Sequence, residues 1–303
     1  MEKTLLLCGM ADSYFFPALD NVEYVFARPN DKLFMFFAKA VRKLHIPALH
    51  YFYGNWFKKL KQYDRIIFFD LGYQPGMERK LLSFNSKMEC YYYNWNTIDN
   101  DRKVMKIESF YKKENVYCTD RGSCDKYGLK YSNIFYSEKW KKQVLESYTA
   151  RYIPKSILWL GHDKGRTMWL RSIADAVKKL EYQPRFFIPG GGSEFGVSHD
   201  IQYNEYCKMI LDSEVLLDLN QKGQTALTLR VMEAIFFGKK LITNNVEVKK
   251  LDCFTENNIL VIDPENIDLK LIREFLDKDF QPYTHDVLMK YDYGSWIKQF
   301  SNE

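Results

Sequence analysis

The segment Gly223-Gln224-Thr225-Ala226-Leu227-Thr228-Leu229-Arg230-Val231-Met232-Glu233-Ala234-Ile235-Phe236-Phe237-Gly238-Lys239-Lys240-Leu241-Ile242-Thr243-Asn244-Asn245 decides how this chain reads. A polar glycine loop runs into a helical pattern, stops at Gly238 and re-emerges as an apolar strand. Thr225 or Thr228 fits the helix cap and Gly238 the left-handed stop. Arg230 and Glu233 stand three apart, so they share a helix face and can pair. The start of a helix offers free N–H groups and the positive end of its dipole, and hydroxyls with an arginine there favour an anion. A phosphate site with an acid one turn further on suits a nucleoside diphosphate.

Outward from that block, strand-like and helix-like runs alternate. The pattern predicts strands at Thr4–Cys8, Val22–Phe26, Arg65–Phe69, Cys90–Tyr93, Asn115–Cys118, Ser156–Leu160, Arg185–Ile188, Val215–Leu217, Lys240–Thr243 and Ile259–Ile262. It predicts helices at Lys32–Leu44, Met168–Leu180, Tyr203–Leu211, Thr228–Phe237 and Ile267–Leu276. Such alternation argues for parallel sheets covered by helices. The charged stretch from Glu138 to Lys155, interrupted by Pro154, marks the expected boundary between residues 1–152 and 153–303. Each half reads as a Rossmann-like, doubly wound α/β domain. Two such domains facing a cleft bring together the strand carboxyl ends, where these sheets bind ligands. Residues Asp286–Phe300 read as a final helix that can cross back over the domains.

Composition narrows the function classes. A chain of 303 residues that is 46% hydrophobic and 17% aromatic has ample core for one large domain or two ordinary ones, and is not disordered. No run approaches the roughly 18 apolar residues of a membrane span, and the N-terminus reads as a first strand rather than a signal peptide. The six cysteines are scattered without zinc spacing, which fits buried thiols in a reducing cytoplasm.

The second half opens with Ser156–Leu160 followed by Gly161-His162-Asp163-Lys164-Gly165-Arg166. Gly161 permits close backbone approach, and Lys164 and Arg166 bring positive charge to a helix start, as half of a diphosphate clamp would. An ordinary βα turn with solvated basic residues is the plainer reading. The spacing is not that of a Walker A loop. His162 sits in the same loop, within reach of a phosphate bound there.

Together the two blocks resemble the nucleotide-binding half of GT-B glycosyltransferases. The resemblance is closer to the bacterial capsule, exopolysaccharide and lipopolysaccharide biosynthesis enzymes. Tyr63-Asp64-Arg65-Ile66-Ile67-Phe68-Phe69-Asp70, Tyr92-Tyr93-Asn94-Trp95-Asn96, His162–Arg166 and the Gly223–Asn245 block carry it. It implies transfer of a sugar from a nucleotide donor, with a UDP-sugar expected, to a lipid-linked or other glycan acceptor. It implies donor contacts from Gly161, Lys164, Arg166, Gly223, Gln224, Thr225, Thr228 and Arg230, with Glu233 on the ribose hydroxyls. Many retaining members of the class carry a second Glu eight residues before the ribose-binding one; here that position is Thr225. Inversion therefore stays open, and it needs a general base on the acceptor side. Asp12, Asp70 and Asp120, each after an N-terminal strand, are the candidates. Their plainer readings are helix caps for Asp12 and Asp120 and a buried, hydrogen-bonded acid for Asp70.

Neither a metal nor a cofactor is expected. Asp99-Asn100-Asp101 has the Asp-x-Asp spacing of metal-dependent glycosyltransferases but sits in a polar turn, and Lys164, Arg166 and Arg230 would take the metal's electrostatic part. Gly190-Gly191-Gly192 fails the dinucleotide fingerprint. From Lys32 to Lys61 there is no Asp or Glu, and Lys32, Lys39, Arg42, Lys43, Lys58, Lys59 and Lys61 interleave with aromatics. Such a stretch can hold single-stranded nucleic acid or seat on an anionic membrane. Phe34, Phe37, Val41 and Leu44, at helical spacing, also read as core. Given the resemblance, a peripheral site on the inner membrane face, without nucleic acid, is the expected partner. The rival readings are a sugar-nucleotide epimerase of the same fold and a non-catalytic partner subunit docked at the membrane.

Overall fold

The computed structural model describes residues 3–9, 14–44, 46, 48–98, 100–149, 151–190, 192 and 194–300. They form two compact units, Met1–Ser132 and Asn133–Glu303. The expected division at residue 152 lies after a helix, Glu138–Glu146, which falls within the second unit.

The first unit holds β1 (Thr4–Cys8), β2 (Val22–Tyr24), β3 (Arg65–Phe69), β4 (Glu89–Asn94), β5 (Val116–Cys118) and β6 (Lys130–Tyr131), with α1 (Lys32–Lys43), α2 (Met77–Phe84), α3 (Asp101–Ser109) and α4 (Arg121–Tyr127). The sheet runs β2-β1-β3-β4-β5-β6, and every pairing is parallel. Every residue of β1 and β3 is buried. Strands covered on both faces read as continuous apolar runs, and these two do. Asp31 starts α1 by accepting from the Phe34 N–H at 3.0 Å, and Arg42 and Lys43 complement the dipole at its end. The chain leaves β1 toward β2 on one side and returns to β3 on the other, so the strand order reverses between β1 and β3.

The second unit holds α5 (Glu138–Glu146), β7 (Ser156–Leu160), α6 (Thr167–Lys178), β8 (Gln183–Pro189), β9 (Gly196–Val197), α7 (Tyr203–Asp212), β10 (Val215–Asp218), α8 (Leu229–Phe237), β11 (Lys240–Thr243), β12 (Ile259–Val261), α9 (Leu269–Asp277), α10 (His285–Lys290) and α11 (Tyr293–Trp296). Its parallel sheet is ordered β12-β11-β10-β7-β8-β9, with the reversal between β7 and β10. Trp159, Leu170, Ile173, Leu217 and Phe275 pack in its core. Every residue of α8 except Arg230 is buried. A helix with apolar residues on every side belongs inside a protein, and Gly238 ends it in the left-handed conformation at φ 63°.

All the strands that alternation predicted are present, within one or two residues at their ends. The two-residue strands β6 and β9 are too short to show a period, and the helices α2 to α5, of seven to nine residues, lie outside the predicted pattern. The single helix expected over Asp286–Phe300 is instead α10, α11 and a 3-10 turn over Ile297–Phe300. Asp292 breaks it, because its carboxylate accepts the Gly294 N–H at 2.8 Å and the Glu138 N–H at 2.8 Å. This segment packs on Phe135 through Trp296, rings 4.2 Å apart, within the second unit. No helix among the described residues is long and apolar enough to cross a membrane.

Candidate functional site

In open parallel sheets, ligands bind beyond the strand carboxyl ends where the strand order reverses. In the second unit that is the gap between β7 and β10, and the predicted residues Arg166, Thr228 and Arg230 meet there. Their hub is a residue the sequence reading passed over. The fully buried Asp218, last residue of β10, accepts from Thr228 Oγ1 at 2.8 Å and Thr243 Oγ1 at 3.0 Å. It also lies 3.3 Å from Arg230 Nη1. A lone acid ending the apolar run Val215-Leu216-Leu217 was the available signal.

Arg230 is fixed on three sides. Its Nε donates to Tyr206 Oη at 3.1 Å, its Nη1 to Asp218, and its Nη2 to the Leu160 carbonyl at the end of β7. Burial disfavours the guanidinium charge, but Tyr206, Asp218 and Glu233 outweigh it and hold the pKa above the ordinary arginine value. Arg166 is fixed as firmly. Its Nη1 donates to the Leu219 carbonyl at 2.6 Å, its Nε to the Asp163 carbonyl at 3.1 Å, and its Nη2 to the His162 carbonyl. The guanidinium lies 5.1 Å from the Trp159 ring centroid. Burial and the nearby Arg230 both lower its pKa. Gly161 sits close enough to Trp159 that a Cβ would come within 3.2 Å of the ring. Two cations thus share the β7 and β10 ends with one carboxylate, and protein hydrogen bonds fix both before any ligand arrives, as electrostatic preorganisation requires.

The helix starts differ. At α6, Asp163 Oδ1 accepts from the Arg166 N–H (3.0 Å), the Thr167 N–H (2.8 Å) and the Thr167 hydroxyl (2.7 Å), which holds its carboxyl below the usual range. A carboxylate of the protein itself therefore occupies the opening turn of that helix. At α8, Thr228 stands at the cap, but its hydroxyl turns to Asp218 and caps no N–H. Lys164 is exposed on its loop, with φ at 45°.

Glu233 lies deeper. It is 2% exposed, and its two carboxylate oxygens accept from Tyr203 Oη at 2.8 Å and Tyr206 Oη at 3.1 Å. Burial pushes its pKa up, while Arg230 and the two phenols pull against that. It does not pair directly with Arg230; Tyr206 bridges them. Tyr203 passes the network on to Tyr136 Oη at 2.9 Å. Tyr203 and Tyr206 come from α7, and sequence reasoning missed both.

Gly223, Gln224 and Thr225 form the loop before α8. Asn220 and Asn245 tie it down: Asn220 Nδ2 donates to the Ala226 carbonyl at 2.9 Å, and Asn245 Nδ2 to the Thr225 and Ala226 carbonyls at 3.1 Å each. Gly223, at φ 81°, turns the loop where a side chain would be strained. Gly223 and Gln224, with Trp169, Asn220, Asn244 and Asp263, line a cavity of about 360 Å³ at the ends of β10, β11 and β12. The Oδ1 of Asn220 is buried without a partner.

In the first unit, Asp70 is 5% exposed and accepts from Asn96 Nδ2 (2.7 Å), the Asn96 N–H (3.2 Å) and the Leu71 N–H (2.9 Å). Burial raises its pKa against those bonds. Asp120 is 4% exposed and accepts the Ser123 hydroxyl at 2.7 Å. Asp12 lies outside the described residues, as does Asp99 of the Asp-x-Asp triplet; Asn100 of that triplet caps α3 through the Lys103 N–H at 3.1 Å. Among the described residues no group of His, Cys, Asp and Glu is arranged to hold a metal ion.

No protein-family model matches the chain, and no match to a curated protein was found. Among solved structures, Anabaena HepE in complex with UDP and glucose superposes with a TM-score of 0.52 at 12% identity, covering 99% of this chain and 98% of that one. The S. aureus MnaA–UDP structure gives 0.46 at 11%, over 99% and 97%. Sucrose-phosphate synthase from Thermosynechococcus elongatus gives 0.41 at 11%, over 84% and 72%. At such identities a likeness speaks for fold alone, and of these three the HepE match is high enough to do so. With the two six-stranded parallel sheets, it makes this a GT-B-like α/β fold.

Proposed function

We propose that the chain is a glycosyltransferase that moves a sugar from a nucleotide donor, a UDP-sugar, to a bacterial surface-glycan acceptor without a metal ion. The observation that carries this is the fixed pair of guanidiniums, Arg166 and Arg230, at the strand-order reversal of the second sheet, beside the cavity under the Gly223–Gln224 loop. Two cations there suit a diphosphate, and they stabilise it most as it leaves with the bond electrons. The neighbouring cavity, lined by Trp169 and by the amides of Asn220, Gln224 and Asn244, suits the nucleoside. Lys164, exposed next to Arg166, adds charge once a phosphate is bound. The HepE structure, which shares the fold, was solved with UDP and glucose.

The first unit takes the acceptor in this reading. Asp12 is the base we favour, since Asp70 spends its carboxylate on Asn96 and Leu71 at the β3 and β4 ends and Asp120 accepts the Ser123 hydroxyl in the first turn of α4. The first unit also meets an anionic membrane. Leu33, Phe36, Phe37 and Leu44 are 66%, 63%, 52% and 69% exposed, within a stretch that holds seven Lys or Arg residues and no acid. An exposed apolar flank beside lysines suits a headgroup boundary. The core role read for Phe37 and Leu44 does not hold, whereas Phe34 does pack on the first unit's core.

Calorimetry with UDP, GDP, CMP and dTDP tests the donor site. UDP is expected to bind, and Arg230→Ala to weaken it at least about tenfold, the loss typical of a charge-assisted hydrogen bond. Equal affinity in wild type and variant sinks the assignment. Conversion of a UDP-sugar in the absence of any acceptor would point to isomerisation instead of transfer.

A further inference from the structure

The strand-order reversal of the first sheet carries a site of its own. A cavity of about 430 Å³ opens there, between the ends of β1 and β3. Its floor is backbone: a Cβ on Gly9 would overlap the Leu71 carbonyl, and one on Gly72 would lie 2.9 Å from the Cys8 carbonyl carbon. Only glycine fits at either position, and the two strand-end loops therefore pack backbone to backbone along this floor. Four cations stand around it, Lys39 and Arg42 from α1 and Arg102 and Lys106 from α3. No acid lines it among the described residues. Lys106 is anchored by donating to the Asp70 carbonyl at 2.6 Å. Burial holds its pKa below the usual lysine range, and the charges of Arg102 and Arg42 push the same way, against the pull of Asp70. Four positive groups gathered from two helices repel one another, so the arrangement is at its best with an anion among them. The Oε1 of Gln74, another lining residue, is buried without a hydrogen-bond partner.

The geometry of α1 adds a direction. At 100° per residue, Met35, Lys39 and Arg42 fall on one flank of the helix, and Leu33, Phe36, Phe37 and Leu44 on the other, with Phe34 and Ala38 between them toward the core. One helix therefore presents cations to the cavity and apolar side chains to solvent.

We propose that this cavity binds a phosphate or diphosphate group on the acceptor substrate, as on a sugar joined through diphosphate to a lipid. Arg42, Arg102, Lys39 and Lys106 neutralise the phosphates, and Gln74 accepts from a hydroxyl of the attached sugar. The word acceptor rests on the glycosyl-transfer reading; the anion site does not.

The test uses full-length protein pre-saturated with UDP, so that a donor site in the second unit is already filled. Three probes are titrated: inorganic pyrophosphate, a sugar on a short prenyl diphosphate, and the same sugar on an uncharged alkyl chain of equal length. Pyrophosphate and the prenyl diphosphate sugar are expected to bind, and the uncharged glycoside to bind at least about tenfold more weakly. Arg42→Ala/Arg102→Ala is expected to remove that difference while leaving UDP affinity unchanged, which also reports that the variant folds. Binding of pyrophosphate but not of the prenyl diphosphate sugar keeps the anion site and overturns the acceptor assignment. Equal binding of charged and uncharged glycosides, or an unchanged response in the double variant, overturns the site. Failure of wild type to bind UDP, with the pyrophosphate response present, defeats the donor reading and leaves this one standing.

Discussion

The guanidinium of Arg230 lies 3.3 Å from the carboxylate of Asp218 while its other Nη donates to the carbonyl of Leu160. One side chain from α8 thereby joins the ends of β7 and β10, the two strands between which the second sheet reverses its order. Asp218 is wholly buried, and its remaining acceptor capacity goes to Thr228 and Thr243. The cation that we assign to the donor diphosphate is held in place by the fold.

Replacing Asp218 should cost stability first. Asp218→Ala leaves Arg230 as an uncompensated, largely buried charge and frees two threonine hydroxyls. Breaking one side of such a pair costs about 3–5 kcal/mol. Urea unfolding of Asp218→Ala against wild type measures it, and a loss below about 1 kcal/mol would mean that the cluster is loosely held.

Glu233 offers a sharper choice. The structure gives its oxygens to Tyr203 and Tyr206, and Tyr206 in turn holds Arg230. Glu233→Gln should then weaken UDP and 2′-deoxy-UDP by the same factor, because the effect arrives through Arg230. A ribose ligand behaves differently: wild type would prefer UDP, and the variant would lose that preference. Calorimetry with both nucleotides separates the two roles.

Lys239 supplies a pH signature. Its ammonium donates to the Leu211 and Ser213 carbonyls at 3.0 and 2.7 Å, and burial pushes its pKa down to about 8 from 10.5. Between those values the unfolded chain holds a proton that the native protein has released. Stability therefore rises with pH across that window. Lys239→Met should lack this rise, and the two stability curves should diverge by about 1 kcal/mol once the group's partial exposure is allowed for. Parallel curves from pH 8 to 10.5 would contradict it.

Membrane docking is open to a direct assay. Phe36→Ser/Phe37→Ser alters side chains that already face solvent, so unfolding should change by less than about 0.5 kcal/mol. Sedimentation with vesicles rich in anionic lipid should fall at least about tenfold in the variant, since each lost ring removes about 1.5–3 kcal/mol of apolar transfer. Wild-type binding should also weaken with salt. Equal sedimentation of both proteins would remove the membrane from the reading.

The sequence by itself determined five strands of each sheet, the end of α8 at Gly238 and the gathering of hydroxyls and an arginine at the start of a buried helix. Apolar periodicity and turn chemistry are properties of neighbouring residues, so they show along the chain. The partners of each polar group are not. Asp218 merely followed the predicted strand Val215–Leu217, Thr228 looked like a cap and Glu233 like a ligand or a partner of Arg230. The crossovers that set β7 beside β10, and α7 against α8, made Asp218 the hub, drew Thr228 to it and gave Glu233 to two tyrosines. The same holds for the cavity of the first unit. Lys39 and Arg42 are separated from Arg102 and Lys106 by two strands and a helix along the chain, and only the parallel crossovers bring the four charges around one space.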